Sequence, residues 1–406
     1  MNVFKLKNLF LITIFLTPLY LIRVELLSVP SNVFEILAIF SIIYFLIENL
    51  SFIVIETKNI PRTLLIACVL ILVGILFSIL YNKNYAVGFG ILKSWFIIPM
   101  FFSFALYSLI ESKQDIENIY KVIFVSTAVT GLTALIYKAA EIVTYDNRLT
   151  SFYSSPNHLA MYLAPGIFFG LYFLLKSFKE KSHFHFQIIL NAFLLSVITV
   201  SLYFTYSYGA WLSIITSILL LTISLLPNKK RIASIIFILS LFILIATQFG
   251  TQKFTSIINN FERSSFSSRI TIWQVSLRLI KEKPIIGIGP GNFQEAYLSL
   301  QSQFPPYLEW AVPQPHNIFL AFWLQAGIMG LIGFIYLLFL IFTNLILLLK
   351  NKKNAALAAP IFGFFLYTIF HGLIDTTYWK NDLAFLFWIC IFLMVSLSAK
   401  HTSCKH

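Results

Sequence analysis

The chain contains very little charge. Only 11% of its 406 residues are Asp, Glu, Lys or Arg, and 59% are apolar. Soluble domains carry about a quarter charged residues. This balance excludes an ordinary soluble domain and predicts a polytopic membrane protein.

Cysteine is also scarce. The three cysteines, Cys68, Cys390 and Cys404, are too few for a disulfide framework. No Cys/His spacing typical of a metal site is present in the sequence, so we expect no structural metal.

Acidic residues are outnumbered by basic ones, 16 to 29, which gives a net charge of +13. A basic chain can indicate nucleic-acid binding, but these Lys and Arg residues lie mostly in short loops between apolar runs. That distribution is typical of membrane topology, so we expect membrane lipid and no nucleic acid as a partner.

Long apolar runs make up most of the chain. A helix needs about 20 apolar residues to cross a hydrocarbon layer of about 30 Å. Twelve such segments predict an all-α membrane domain over residues 1–406. They centre on residues 9–25, 33–50, 63–80, 88–109, 118–140, 157–175, 187–204, 209–226, 232–249, 320–349, 356–374 and 383–399.

Alternate loops differ in charge. One set carries Lys and Arg at 58–62, 176–181, 229–231 and 350–353, and both termini are basic as well. The positive-inside rule places this set, with both termini, in the cytoplasm. The long polar insert 251–315, between the ninth and tenth segments, is then predicted to be extracytoplasmic.

The insert contains a predicted helix. Ser267 or Ser268 can cap it, and it should run to about Glu282 because Pro284 follows. Four residues at helical spacing are predicted to share one face: Arg269, Trp273, Leu277 and Ile280.

Arg269 on that face suggests an anion site. An arginine near a helix N-terminus suits a phosphate, because it is always charged and offers paired donors. The alternative is an interfacial amphipathic helix in which the arginine extends to the lipid headgroups.

Residues 287–292 read Gly-Ile-Gly-Pro-Gly-Asn and predict a tight turn with positive φ angles. The stretch resembles a phosphate-cradling loop but lacks the P-loop lysine. A plain structural turn is the alternative, and the favoured one.

Pro315-His316-Asn317 opens an apolar run that reaches Leu349. A continuous helix of that length would be about 50 Å long, so we expect it to project outward or to break near Gly327 and Gly330. His316 then lies near a helix N-terminus, where the dipole disfavours imidazolium and favours the neutral form of a general base. The alternative is a polar interface residue.

Three further stretches place polar residues at the predicted outer ends of spans. They are Arg148 to His158, Thr205 to Trp211, and His371 to Asp375. Ionisable groups at such depth are candidate functional residues, although the histidines could instead hydrogen-bond between helices.

Together these residues resemble the O-antigen ligase and polymerase superfamily of bacterial glycan-transfer membrane proteins. The resemblance runs from about Arg148 to Trp388. Its most specific parts are Arg269 with Trp273, residues 287–293, residues 316–320, and Gly327 with Gly330.

The resemblance implies a twelve-span glycosyltransferase in the bacterial inner membrane. Such a protein moves a glycan from undecaprenyl diphosphate to the hydroxyl of a glycolipid or glycan acceptor, without a metal or other cofactor. By position, Arg269 resembles the arginine that binds the donor diphosphate, and His316 resembles the histidine that activates the acceptor hydroxyl. Asn157 matches a family loop motif. The remaining candidate supporting residues are Trp273, Asn317, His371 and Asp375.

Tyr208 departs from the family pattern, because many relatives carry Ser-Arg-Gly where this chain has Ser207-Tyr208-Gly209. The missing arginine would be a second diphosphate ligand. A tyrosine hydroxyl can donate one hydrogen bond but brings no charge. Either Arg148 or Lys253 compensates, or donor binding is weaker or different in kind.

The sequence thus predicts an inverting, metal-independent, O-antigen ligase-like transferase. A glycan polymerase and a protein O-oligosaccharyltransferase share the same motifs and stay open as alternatives. A solute transporter would place ionisable residues at mid-membrane depth, where only Glu35 and Glu48 are candidates. A catalytically silent relative that only binds carrier lipid is a further alternative.

The orientation can be tested by cysteine labelling. In a background without native cysteines, Ser302→Cys should react with a membrane-impermeant maleimide from the outside, whereas Asn228→Cys should react only after permeabilisation. The reverse pattern would invert the predicted topology.

Overall fold

The computed structural model describes residues 3–26, 29–57, 60–179, 185–259, 264–305, 310 and 312–399. Part of the basic set used for orientation lies outside the described residues, namely Lys58, Lys181, Lys400 and Lys405.

The described ranges contain sixteen α-helices. They are α1 Val3–Phe15, α2 Val33–Thr57, α3 Arg62–Asn82, α4 Tyr85–Leu92, α5 Ile98–Ser108, α6 Lys113–Ala139, α7 Pro156–Lys179, α8 His185–Phe204, α9 Tyr208–Leu225, α10 Lys230–Ala246, α11 Gln252–Asn259, α12 Ser265–Glu282, α13 Phe293–Leu300, α14 Ile318–Lys350, α15 Ala355–Gly372 and α16 Asn381–Ala399. A π-helical turn, Lys93–Ile97, joins α4 to α5.

Nine helices in the described ranges are long and apolar enough to cross a membrane, with α4 and α5 counted as one. They correspond to nine of the twelve predicted segments. The other three predicted segments overlap α1, α2 and α10. A polytopic helical architecture is therefore confirmed, and the count of twelve spans stays a prediction.

The first predicted segment, 9–25, is wrong in its second half. The helix ends at Phe15, and Pro18 follows in a short 3-10 turn because proline lacks the N–H that an α-helix interior requires. The chain then forms an antiparallel hairpin of strands β1 Arg23–Leu26 and β2 Val29–Asn32. The fold is thus helical apart from this hairpin, which the expectation of an all-α protein did not include.

The loops that alternate along the sequence meet at two opposite ends of the bundle. At one end the contacts are Lys7 with Glu111 at 2.7 Å, Lys176 with Glu117 at 2.5 Å, and Lys113 with the Lys353 carbonyl at 2.8 Å. At the other they are Asn82 with the Gly287 carbonyl at 3.2 Å, Arg148 with the Thr205 carbonyl at 2.8 Å, and Arg269 with the Ile374 carbonyl at 2.6 Å. This grouping agrees with the predicted alternation, and which end faces the cytoplasm stays a prediction.

The last helix, α16, forms the centre of the bundle, and its apolar side chains from Leu383 to Leu397 are buried. Large apolar side chains on outer helices are exposed instead, for example Phe77, Phe101 and Phe339 at 56%, 59% and 63%. Such a surface is stable in contact with lipid tails rather than water.

Glu35, one of the two acidic residues considered for mid-membrane depth, is buried near the start of α2. Its Oε1 lies 2.6 Å from the Lys93 ammonium, and its Oε2 accepts a hydrogen bond from Ser94 at 2.9 Å. The ion pair compensates for the burial of the carboxylate.

One attachment of the polar connection between α10 and α14 to the bundle is at a break in α14. The long helix α14 breaks at Gly327, whose φ of 67° and ψ of −177° are not helical. The break leaves the Leu324 carbonyl without its helical partner, and the N–H groups of Ile288 and Gly289 donate to it at 2.7 and 3.2 Å. In return, the Ile328 N–H donates to the Ile285 carbonyl at 2.9 Å.

These contacts decide between the two interpretations of the glycine turn. All three glycines of 287–292 have positive φ, as predicted. Two of the backbone N–H groups that a phosphate would need are already bonded to α14. The turn is therefore a structural one that fixes the insert to the broken helix.

Replacing Gly327 by alanine should destabilise the protein. A Cβ there would lie 2.4 Å from the Ile285 carbonyl oxygen, and the backbone conformation costs a non-glycine residue about 1–3 kcal/mol. In thermal unfolding in detergent, Gly327→Ala should have the lowest melting temperature of the three variants. Gly250→Ala, which has positive φ but open space, should be intermediate, and Gly90→Ala, with open space in a helix, should match wild type. Equal melting temperatures for all three variants would contradict this account.

Candidate active site

The centre of the site is the carboxylate of Asp375, in the loop between α15 and α16. Its Oδ1 lies 3.0 Å from His316 Nδ1 and accepts from the Thr376 N–H at 2.9 Å. Its Oδ2 lies 3.5 Å from Arg269 Nη2 and accepts from Asn157 Nδ2 at 3.3 Å. The side chain is only 2% exposed. A carboxylate buried this deeply is stable only when it is paired and hydrogen-bonded, and both conditions are met here.

The ionisation of Asp375 reflects this pairing. Burial by itself would raise the pKa of the carboxyl group, but the His316 hydrogen bond and charge and the Arg269 guanidinium outweigh it and hold the pKa well below its usual value. Asp375 is therefore an anion at neutral pH, and it accepts hydrogen bonds from all four neighbours.

His316 is positioned by the start of α14. Asn317 caps this helix, since its Oδ1 accepts from the N–H groups of Phe319 and Leu320 at 2.9 and 3.0 Å. The residue before the cap, His316, has a φ of 46°, a left-handed conformation that is rare outside glycine. Trp273 Nε1 donates to the His316 carbonyl at 3.2 Å and holds this backbone in place.

In addition to lying just before the N-terminus of α14, His316 pairs with the Asp375 carboxylate. Because Asp375 only accepts, His316 Nδ1 carries the donated hydrogen, and in a neutral imidazole Nε2 then has a lone pair. The side chain is 22% exposed, so it can reach a bound molecule. The carboxylate also stabilises the imidazolium that forms when Nε2 takes up a proton.

Arg269 lies in the second turn of α12. The structure corrects the predicted cap, because Ser264 caps this helix by accepting from the Ser267 N–H at 3.2 Å. The predicted end at Glu282 is confirmed. The predicted face is wrong at Leu277, which is 50% exposed. The buried face is rotated away from it and contains Ser268, Ile272, Val275, Ser276 and Leu279.

Arg269 is thus at the edge of the buried face, and three of its donors are held by the protein. Its Nε donates to the Ile374 carbonyl at 2.6 Å, Nη1 donates to the Ser265 carbonyl at 3.0 Å, and Nη2 faces Asp375. A guanidinium has five N–H donors. Within the described part of the chain, two donors therefore remain for a ligand.

A second arginine reaches the same carboxylate indirectly. Arg148, in the loop between α6 and α7, donates through Nη2 to Asn157 Oδ1 at 2.9 Å, and Asn157 in turn donates to Asp375. Arg148 Nε is fixed by the Thr205 carbonyl at 2.8 Å. Burial and the nearby Arg269 charge lower the pKa of Arg148, although Asp146 opposes the shift.

Tyr208 begins α9 beside this arginine pair. Its hydroxyl donates to Gln248 Oε1 at 3.0 Å. The ammonium of Lys253, on α11, lies 4.5 Å from the centroid of the Tyr208 ring and donates to the Tyr206 carbonyl. The structure therefore places the Lys253 ammonium against Tyr208, the residue at which this chain departs from the family pattern.

Part of the chain is similar to known proteins. Residues 192–335 match the family model described as O-antigen ligase. This match supports the predicted resemblance to the O-antigen ligase and polymerase superfamily. The chain is also 25% identical over 224 residues to a protein of Haemophilus influenzae described as uncharacterized. That alignment covers 51% of this chain and 54% of the relative, so the chain spans about half of the relative's length.

The matched region contains only part of the site. Arg269, Trp273 and His316 lie inside residues 192–335 of the O-antigen ligase match, whereas Asn157 and Asp375 lie outside it. The tertiary structure joins the two groups.

The side chain of one predicted residue, His371, lies apart from the hydrogen bonds around Asp375. His371 is buried in α15, and its Nδ1 lies 2.7 Å from the Tyr367 hydroxyl one helical turn earlier. Asp375, the other candidate in the stretch from His371 to Asp375, is at the centre of the site.

Lys380 also lies beside the site, although no sequence pattern predicted it. Its ammonium lies 2.5 Å from Nδ1 of His158, the residue that follows Asn157 in the chain. Burial lowers the pKa of Lys380 to about 8, although Asp382 and Asp375 oppose this. In the sequence, the only feature that could have indicated Lys380 is its position one residue before the last helix.

The charge on Asp375 should stabilise the fold in a pH-dependent way. A depressed carboxyl pKa contributes stability above the unfolded value of about 3.9, and this contribution is lost as the pH falls through the folded pKa. Asp375→Asn should therefore melt below wild type at pH 7, and the difference should shrink below about pH 4. Thermal unfolding in detergent from pH 7 to pH 3 measures this.

The control for that series is Glu282→Gln, which removes an exposed carboxylate that pairs only with the exposed Arg278. It should show no comparable pH-dependent difference. A gap between wild type and Asp375→Asn that stays constant to pH 3 would contradict an ionised, paired Asp375.

Proposed function

We propose that this protein is an O-antigen ligase-like glycosyltransferase that moves a glycan from undecaprenyl diphosphate to an acceptor hydroxyl. One observation carries the proposal: the buried carboxylate of Asp375 holds His316 on one oxygen and Arg269 on the other. A proton acceptor and an anion-binding cation are thereby fixed on either side of one group.

The cationic side suits the diphosphate. Arg269 and Arg148 each keep donors beyond those bound to protein, and both side chains are mostly buried, at 15% and 13% exposure. Charge-assisted hydrogen bonds from arginine to phosphate are stronger where water is excluded. In the transition state these cations would stabilise the negative charge that develops on the leaving diphosphate.

The imidazole side suits the acceptor. With Nδ1 held by Asp375, Nε2 of His316 would take the proton of an acceptor hydroxyl as its oxygen attacks the anomeric carbon. Asp375 would orient the ring and stabilise the resulting imidazolium, so it acts as a positioning residue.

The bond changes balance without a further reactant. The acceptor oxygen forms a bond to the anomeric carbon, and the bond from that carbon to the phosphate oxygen breaks. The electron pair leaves with undecaprenyl diphosphate, and the acceptor proton goes to His316. Attack from the face opposite the leaving group inverts the anomeric configuration.

The outward apolar surface of the bundle supports the choice of a lipid-linked donor. Exposed side chains such as Phe77 and Phe339 leave the outer helices in contact with lipid. A polyprenyl tail can therefore stay in the bilayer while its diphosphate reaches the end of the bundle at which Arg269 lies.

Transfer by the purified protein in lipid nanodiscs tests the proposal. Arg269→Ala should lower turnover about a hundredfold or more, because charge-assisted contacts to the leaving group are lost. Arg269→Lys should recover little, since lysine cannot make paired contacts. His316→Gln should abolish turnover yet leave binding of undecaprenyl diphosphate intact.

Matched controls are available on the same chain. Arg278→Ala removes an exposed arginine of α12, and His185→Gln removes an exposed histidine at the start of α8. Both should retain turnover. Near-normal product from Arg269→Ala, or wild-type turnover from His316→Gln, would refute the assigned roles.

A further inference from the structure

The helix α11 places one lysine against the site. Lys253 has its ammonium 4.5 Å from the centroid of the Tyr208 ring, and it donates to the Tyr206 carbonyl. The first contact is a cation–π interaction, and the second fixes the direction of the side chain. Lys253 is thus held at the start of α9 rather than extended into water.

The charges around Lys253 make its placement unfavourable in the absence of an anion. Arg148 and Arg269 both repel it, and only Asp146 attracts it. Together with burial, which is the larger cause, this repulsion lowers the pKa of Lys253 to about 7. Three cations thus lie near two carboxylates, Asp146, which attracts Arg148 and Lys253, and Asp375, which faces Arg269.

Tyr208 is not suited to replace a charged phosphate ligand itself. Its hydroxyl already donates to Gln248 Oε1 at 3.0 Å, and it would remain neutral at physiological pH. Its ring is instead the surface on which the Lys253 ammonium rests. Tyr208 therefore supports a cation that comes from a different part of the chain.

We propose that Lys253 is a direct ligand of the donor diphosphate, carried by α11 and supported by the ring of Tyr208. This inference rests on the proposed function and extends it by a residue outside the bundle. An incoming diphosphate neutralises the repulsion from Arg148 and Arg269, so donor binding draws a proton onto Lys253 whenever that lysine is neutral in the free protein.

Binding of undecaprenyl diphosphate to the full chain in nanodiscs, measured from pH 6 to pH 9, tests the proposal. Wild-type affinity should fall as the pH rises above about 7, because the ligand must then supply the energy to protonate Lys253. Lys253→Arg should retain affinity and lose this fall, since arginine stays charged. The titration of the probe itself is common to both proteins and cancels in the comparison.

Removal of the charge should weaken binding. Lys253→Met, which keeps an unbranched stem over the ring, should bind about tenfold or more weakly at pH 6, with an unchanged melting temperature. Lys281→Ala, which removes an exposed lysine of α12, should bind like wild type. Tyr208→Arg added to Lys253→Met should restore affinity, because the two positions serve the same phosphate.

Competition by inorganic pyrophosphate shows whether the diphosphate alone is recognised or the lipid tail is needed as well. Competition that depends on Lys253 shows that the diphosphate itself is the ligand. Binding of the lipid alone, with the same dependence on Lys253, shows that the tail is also needed. Either result supports the proposal.

Wild-type affinity and an unchanged pH dependence in Lys253→Met would overturn this inference. If Arg269→Ala still abolished transfer in that case, the proposed function would stand without Lys253. If Arg269→Ala also retained full transfer, the proposed function itself would fail. If Lys253→Met is destabilised, the comparison of wild type with Lys253→Arg still tests the proposal. A ligand lysine predicts that wild type loses affinity between pH 6 and pH 9 and that Lys253→Arg does not. An equal pH dependence of the two proteins would contradict it.

Discussion

The site depends on one buried carboxylate. Asp375 lies between a histidine and an arginine that approach from two different helices, and its two oxygens are shared between them. Burying an anion is costly unless cationic and hydrogen-bonding partners surround it. The same requirement that stabilises Asp375 therefore also fixes the distance between the two groups that the proposed reaction needs.

The second constraint is the attachment of the polar insert to the bundle. The break of α14 at Gly327 frees the Leu324 carbonyl, and the glycine turn at 287–289 uses it. A continuous helix would offer no such acceptor, because its carbonyls are bonded internally. Since α12 precedes the turn and carries Arg269, the break in one helix determines where the arginine of another helix can lie.

Charge is distributed unequally within the site. Arg148, Arg269 and Lys253 approach one another, and Asp146 and Asp375 are the carboxylates that act on them. An arrangement that gathers cations in a partly dry environment is unfavourable in the free protein and favours an anionic ligand. This preference supports the proposed diphosphate donor, and it does not require an arginine at the position of Tyr208.

From the sequence alone we could predict a polytopic membrane protein, most helix positions, the tight glycine turn and the residues that could bind or react. Apolar run length, proline, glycine and charge are local properties, and the pattern of local properties reports local structure. The tertiary structure was needed to show that Asp375 pairs with His316, which is 59 residues away in the chain, and that its other oxygen faces Arg269, which is 106 residues away. It also decided that the first apolar run ends in a hairpin, that Leu277 faces outward and that Lys253 rests on Tyr208. These outcomes depend on which helices pack together, and no periodicity within a single segment contains that information.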